Sequence, residues 1–144
     1  MLLKLNAANH LIAEILAEAD RRKLAPLAVA VLDHGGNLVS FQRQDSAGHL
    51  RFDIAFAKAW GSLGMGFSSR ELSKRAAQNP TFIGTLTTIS QGRVAPSPGG
   101  VLFGDASAHL LGAVGVSGDL GDQDEAVALF GLSAAGFVAL GDTG

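Results

Sequence analysis

An α+β fold, an antiparallel sheet built from two β-hairpins with helices packed on its faces, is what this 144-residue sequence predicts. Three observations carry the prediction. Two apolar runs, within 27–43 and 101–116, each turn back on themselves through short polar or glycine-containing segments. Helical periodicity fills the stretches before, between and after them. The strand–helix–strand alternation that builds a parallel sheet is missing, so helices must pack on a sheet made of hairpins.

The elements follow in order. From about Asn6 to Lys23, Leu5, Ala8, Ile12, Ile15, Leu16 and Ala19 form one stripe, while His10, Glu14, Glu18 and Arg21 fall opposite. Pro26 stops this helix. Leu27 to Leu32 is apolar on both alternating faces, which suits a central strand covered on two sides. His34-Gly35-Gly36-Asn37 is turn chemistry, and Leu38 to Arg43 returns as the second strand. Residues 50–60 form a helix with Phe52, Ala55, Phe56 and Ala59 on one face, but Ile54, Ala57 and Trp60 make its other sides apolar too. A helix apolar nearly all round is buried on more than one side, which points to a partner subunit. Gly61, Gly64 and Gly66 are expected to break it.

Ser68-Ser69-Arg70-Glu71 is a capping box that opens a short helix to about Gln78. Asn79-Pro80 starts another, with proline in its first turn, to about Ser90. A loop from Gly92 to Gly100 leads into Val101-Leu102-Phe103. His109 to Val116 returns from the turn at Gly104-Asp105-Ala106-Ser107. Small residues alternate along this last strand, so a helix or another backbone can lie close against it. Asp122-Gln123-Asp124-Glu125 is expected to cap a final helix reaching about Phe137.

Composition bounds the function. The length fits one domain spanning 1–144. Eleven Lys+Arg against thirteen Asp+Glu give a net charge of −2, which argues against nucleic acid or an anionic membrane as a partner held by charge. No cysteine is present, which removes disulfides, thiolate nucleophiles and Cys-based metal centres. Charged residues reach only 17% against 47% hydrophobic, so a homo-oligomer, dimer or higher, is expected to hide part of the surface. Met1-Leu2-Leu3-Lys4-Leu5-Asn6 lacks the basic start and long apolar run of a signal peptide, and no membrane span fits. A cytoplasmic protein is expected.

Candidate site residues are few because charges are scarce. His10 reads either as a solvated residue or as an axial metal ligand facing a pocket or a neighbouring subunit. His34 belongs to a turn, His49 opens a helix near Asp53, and His109 starts a strand; no zinc-ligand spacing links them. The acids at 119–125 fail the calcium-loop spacing, and Gly115-Val116-Ser117-Gly118-Asp119 fails the nucleophile elbow. Gly115 and Gly118, in the run Gly112-x-x-Gly115-x-x-Gly118, could present free N–H groups to a carboxylate or phosphate, or could simply allow close packing. Arg43 and Asp45 close the second strand, and Lys58 interrupts an apolar helix. Asp53 and Lys58 are too far round that helix, about 140°, to be a surface pair. Such charges either form internal salt bridges or make a site in which Arg43 and Lys58 hold an anionic ligand and Asp45 or Asp53 moves a proton.

These segments resemble the GlcG/HbpS-like family. Leu27 to Phe41, with Asp33-His34-Gly35-Gly36-Asn37-Leu38-Val39, is similar to its first hairpin. Arg43-Gln44-Asp45, Asp53-Ile54-Ala55, Lys58-Ala59, Pro98-Gly99-Gly100-Val101, Leu111 to Gly118 and Asp122 to Ala128 follow the family order. Gln44 stands where the family has Met, and Val101-Leu102 stands in place of its x-Pro-Ile. The family includes haem-binding proteins and the C-terminal domain of PduO-type corrinoid proteins. The resemblance implies an α/β sandwich that assembles as dimers or larger rings. It also implies a small-molecule-binding protein taking haem or a related tetrapyrrole, with His10 as axial ligand and Arg43 or Lys58 for the propionates. The alternative is a small metabolic or biosynthetic enzyme, an isomerase, lyase or cyclase, acting on a carboxylate or oxo-acid through Arg43, Lys58, Asp45 and Asp53.

Overall fold

The structure is a computed structural model and describes residues 2–141. Its elements run α1 (Leu5–Arg21), β1 (Ala28–Asp33), β2 (Leu38–Arg43), α2 (Leu50–Met65), α3 (Ser69–Gln78), α4 (Pro80–Ile89), β3 (Gly100–Gly104), β4 (Leu110–Ser117), α5 (Gly121–Ala134) and β5 (Val138–Leu140). The five strands form one antiparallel sheet in the order β2-β1-β4-β3-β5. The two expected hairpins therefore sit side by side, joined through β1 and β4.

The alternation along β1 sorts side chains by size. Val29 and Val31 face α1 and α5 in one core, which also takes Ile12, Ile15, Phe103 and Leu132. Ala28, Ala30 and Leu32 face α2, where Ala55, Ala59 and Ala113 meet them. Small residues on both sides of the second contact let α2 lie close on the sheet. The result is three layers, with α1 and α5 on one face of the sheet and α2 on the other.

Three expectations change. Helix α2 passes through Gly61 and Gly64 and stops at Gly66, the left-handed C-cap. At Gly61 the cover on its far side comes from its own chain: a Cβ there would stand 3.4 Å from Val94 Cα. The acidic run does not supply an N-cap side chain to α5; Leu120 holds that position, and Asp124 turns inward. The last helix ends at Ala134 rather than near Phe137, and a three-residue strand, β5, pairs with β3. Three residues are too few to show a strand period.

The two hairpin turns share one design that no sequence repeat announces. The carboxylate Oδ1 of Asp33 accepts the Gly35 and Asn37 N–H groups, at 2.9 and 3.0 Å. That of Asp105 accepts the Ser107 and His109 N–H groups, also at 2.9 and 3.0 Å. The matching left-handed position is Gly36 (φ 82°) in the first turn and Ala108 (φ 64°) in the second. A Cβ costs about 1 kcal/mol in that conformation. Ala108→Gly is therefore expected to stabilise the protein by up to about 1 kcal/mol and raise Tm by about 2–4 °C in calorimetry. A lowered Tm would show that Ala108 is not strained.

Candidate functional site

The residues singled out from sequence fall in three separate places. At the end of β2, Arg43 and Asp45 line an open groove of about 500 Å³ together with Asp20, Leu24 and Gln42. The Arg43 guanidinium donates to the Ala47 carbonyl at 2.6 Å, which ties down the loop that follows. Gln44, where the family has Met, accepts the Leu27 N–H at 2.8 Å and donates to Asp20 at 3.3 Å. It joins the start of β1 to the end of α1. Asp53 is exposed on the first turn of α2 and does not line this groove.

Lys58 lies in the interior. Its Nζ donates to Asp124 Oδ2 at 3.1 Å and to the Val116 carbonyl at 2.9 Å. The two side chains are 3% and 1% exposed. The second carboxylate oxygen of Asp124 accepts the Asp119 N–H at 3.0 Å. Burial pushes the Lys58 ammonium below its ordinary pKa and the Asp124 carboxyl above its own, and the charge of each partner offsets part of that shift. The pair joins α2 to α5 across the end of β4. Asp124 is the residue that sequence reasoning missed as a partner, because it stands in a run of acids that helix-dipole chemistry explains equally well. Its neighbours in that run are engaged too: Arg70 takes Glu125 at 2.9 Å and Asp122 at 2.5 Å.

Gly115 and Gly118 sit in close backbone contacts. A Cβ on Gly115 would meet the Ala55 carbonyl oxygen at 1.9 Å, and one on Gly118 the Pro26 oxygen at 2.3 Å. Here β4 gives α2 and the start of β1 room to approach.

His10 is in a third place. It lies on the exposed side of α1, and its Nε2 is 3.9 Å from the Glu14 carboxylate, too far for a hydrogen bond. Asn6 and Ala7 stand one helical turn before His10 on α1. Those two residues belong to a mainly apolar cleft of about 380 Å³ whose other walls are Leu2, Leu3, Lys4, Leu111 and Phe137. The cleft joins the start of α1, the start of β4 and the segment after α5. No local pattern in the sequence could have assembled it.

Comparison with known proteins settles the family. The family described as haem degrading protein HbpS-like matches residues 3–133. The chain belongs to the HbpS-like family. An uncharacterised 15.0 kDa protein from the dhaT–dhaS intergenic region of Citrobacter freundii is 31% identical over 108 residues, covering 72% of this chain and 71% of that protein. The HbpS-like fold recurs in the crystal structure of an HbpS double mutant from Streptomyces reticuli. That match has a TM-score of 0.79 at 30% identity and covers 93% of this chain and 87% of that one. A PduOC–haem complex superposes with a TM-score of 0.85 at 24% identity, covering 96% and 98% of the two chains; at that identity it speaks for the fold. Among the described residues, no helix of this HbpS-like chain is long and apolar enough to cross a membrane.

Proposed function

We propose that this protein binds haem or a related tetrapyrrole at the cleft beside the start of α1, with His10 as axial ligand. The observation that carries the reading is a mainly apolar cleft at the start of α1, the helix that also carries the exposed His10, in a chain of the HbpS-like family. The residues fit such a group in kind. A neutral imidazole is a common axial ligand, and no cysteine competes for the role. Leu2, Leu3, Leu111 and Phe137 offer an apolar wall, and the cleft is within the size range of small-molecule sites, about 300–1,000 Å³. Lys4 also lines it and is exposed, which suits a propionate.

Lys4 replaces the propionate partners expected from sequence. Lys58 is committed to Asp124 and Val116. Arg43 shares its groove with Asp20, which lies ten residues along α1 from His10, about 15 Å of helix. When bound, the tetrapyrrole would supply the iron centre; the chain supplies the imidazole, the apolar wall and the cation. The homo-oligomer and the cytoplasmic location belong to this proposal and rest on the sequence reading. So does a single domain over 1–144.

Titration of the purified protein with haemin tests the reading. The expected result is a Soret shift that saturates near one haemin per chain, with affinity at least tenfold lower in His10→Ala and a smaller loss in Lys4→Ala. An unsaturable titration, or a His10→Ala curve that overlays the parent, would sink it.

The groove at Arg43 supports a second reading. A guanidinium and the Asp45 carboxylate share one open groove, a pairing suited to holding a carboxylate or oxo-acid while a proton is moved. An isomerase, lyase or cyclase activity that survives Arg43→Ala combined with Asp45→Ala would exclude that groove.

A further inference from the structure

Arg21, Arg22, Arg70 and Arg75 each take a carboxylate of their own chain. Arg43 does not. Its guanidinium, a fork of five donors, gives one hydrogen bond to the Ala47 carbonyl, and among the described residues it has no ion-pair partner. Two carboxylates line the same groove, Asp20 and Asp45, and they too lack a cation among the described residues. The Asp20 carboxylate receives only the Gln44 amide, at 3.3 Å, and Asp45 is exposed.

The end of β2 sets these charges side by side. The Gln44 N–H donates to the Leu27 carbonyl at 2.8 Å, which carries the strand pairing one residue past Arg43. Residues two apart on extended backbone leave by the same face, and Arg43 and Asp45 both reach the groove. The cations nearest in sequence to Asp20, Arg21 and Arg22, are both turned to Glu18. One guanidinium and two carboxylates therefore share a space of about 500 Å³ with no ion pair formed between them.

Such a lining selects a ligand that carries both charges. A guanidinium grips a carboxylate through two parallel N–H groups, and an aspartate accepts from an ammonium. The carboxylates outnumber the guanidinium, so a ligand with only negative charge meets a net repulsion that a zwitterion escapes. Leu16, Leu24 and Pro26 supply the apolar part of the lining, and the two leucines are half-buried against the core. We propose that this groove binds an α-amino acid with an aliphatic side chain. Arg43 holds its carboxylate, Asp45 and Asp20 hold its ammonium, and Leu16 and Leu24 meet its side chain. The groove is that of the second reading above, but the ligand differs from an oxo-acid by the ammonium that gives Asp20 and Asp45 a partner. It is separate from the cleft at the start of α1, so the inference does not depend on haem binding.

Calorimetric titration with three probes of one carbon skeleton tests the assignment. L-Leucine carries both charges, its oxo-acid only the carboxylate, and isopentylamine only the ammonium. Leucine is expected to bind at one site per chain, with the other two at least tenfold weaker. Asp45→Asn should weaken leucine about tenfold and at the same time strengthen the oxo-acid, a pair of opposite changes that a misfolded variant would not produce. An oxo-acid that binds the parent as tightly as leucine would overturn the proposal and leave the second reading standing. A parent that binds neither at millimolar concentration, or an Asp45→Asn protein in which both affinities fall together, would also overturn it. Leucine binding without oxo-acid binding would uphold the proposal and remove the second reading.

Discussion

Lys58→Met is expected to destabilise the protein by about 3–5 kcal/mol, a large share of the roughly 5–15 kcal/mol that holds a domain together. The substitution keeps most of the side-chain volume but strips Asp124 of its cation. A carboxylate that is 1% exposed would then face the interior with only the Asp119 N–H for company. Removing both charges together, as Lys58→Met with Asp124→Leu, should recover much of the loss. Buried pairs contribute little net energy over apolar replacements, whereas half a pair is expensive. The recovery will be incomplete. The Val116 carbonyl and the Asp119 N–H each lose a partner, and each such loss costs about 1–3 kcal/mol. Urea unfolding of the three proteins reads the cycle. A single variant that loses less than about 1 kcal/mol would mean that water reaches Asp124.

Gly115→Ala should be nearly as damaging, at about 3 kcal/mol, the upper end of the overpacking range. The added methyl would stand 1.9 Å from the Ala55 carbonyl oxygen and 3.1 Å from the Ala59 amide nitrogen. Both neighbours are backbone, so no side chain can rotate away; α2 must lift off β4 as a body. The Lys58 ammonium, which reaches from α2 to the Val116 carbonyl on β4, would feel the shift. Gly64→Ala on the same helix is the matching control. Nothing lies within 4 Å of its added methyl, and alanine in a helix interior is favoured over glycine by about 0.5–1 kcal/mol. Opposite signs for the two glycines in urea midpoints would confirm that contact sets the result. Equal effects would refute it.

Much of the secondary structure was legible because it is written locally. The N-cap expected at Ser68 forms, its hydroxyl accepting the Glu71 N–H. The run Leu27–Leu32 was legible as a two-faced strand because every residue of it is buried. Helix α2 overran its glycines because packing against the sheet and Val94 outweighs their weak propensity. The site was legible only in part. Lys58 stood out as a charge on an apolar helix, but its partner lies 66 residues away. The outward position of His10 followed from the helical repeat. The cleft at the start of the same helix did not, since Leu111 and Phe137 come from distant parts of the chain.

The sequence by itself determined the two hairpins, most of the helices and their caps, and the exposed side of α1 that carries His10. Each rests on a period of 2 or 3.6 residues or on a turn residue, and such signals act within a few neighbours. Only the tertiary structure decided that Lys58 meets Asp124, that Gly115 receives the α2 backbone, and that the N-terminus of α1 closes a cleft with β4 and the segment after α5. Periodicity specifies which side of an element is apolar. Which surface covers that side depends on how all the layers close at once, and that choice joins residues far apart in the chain.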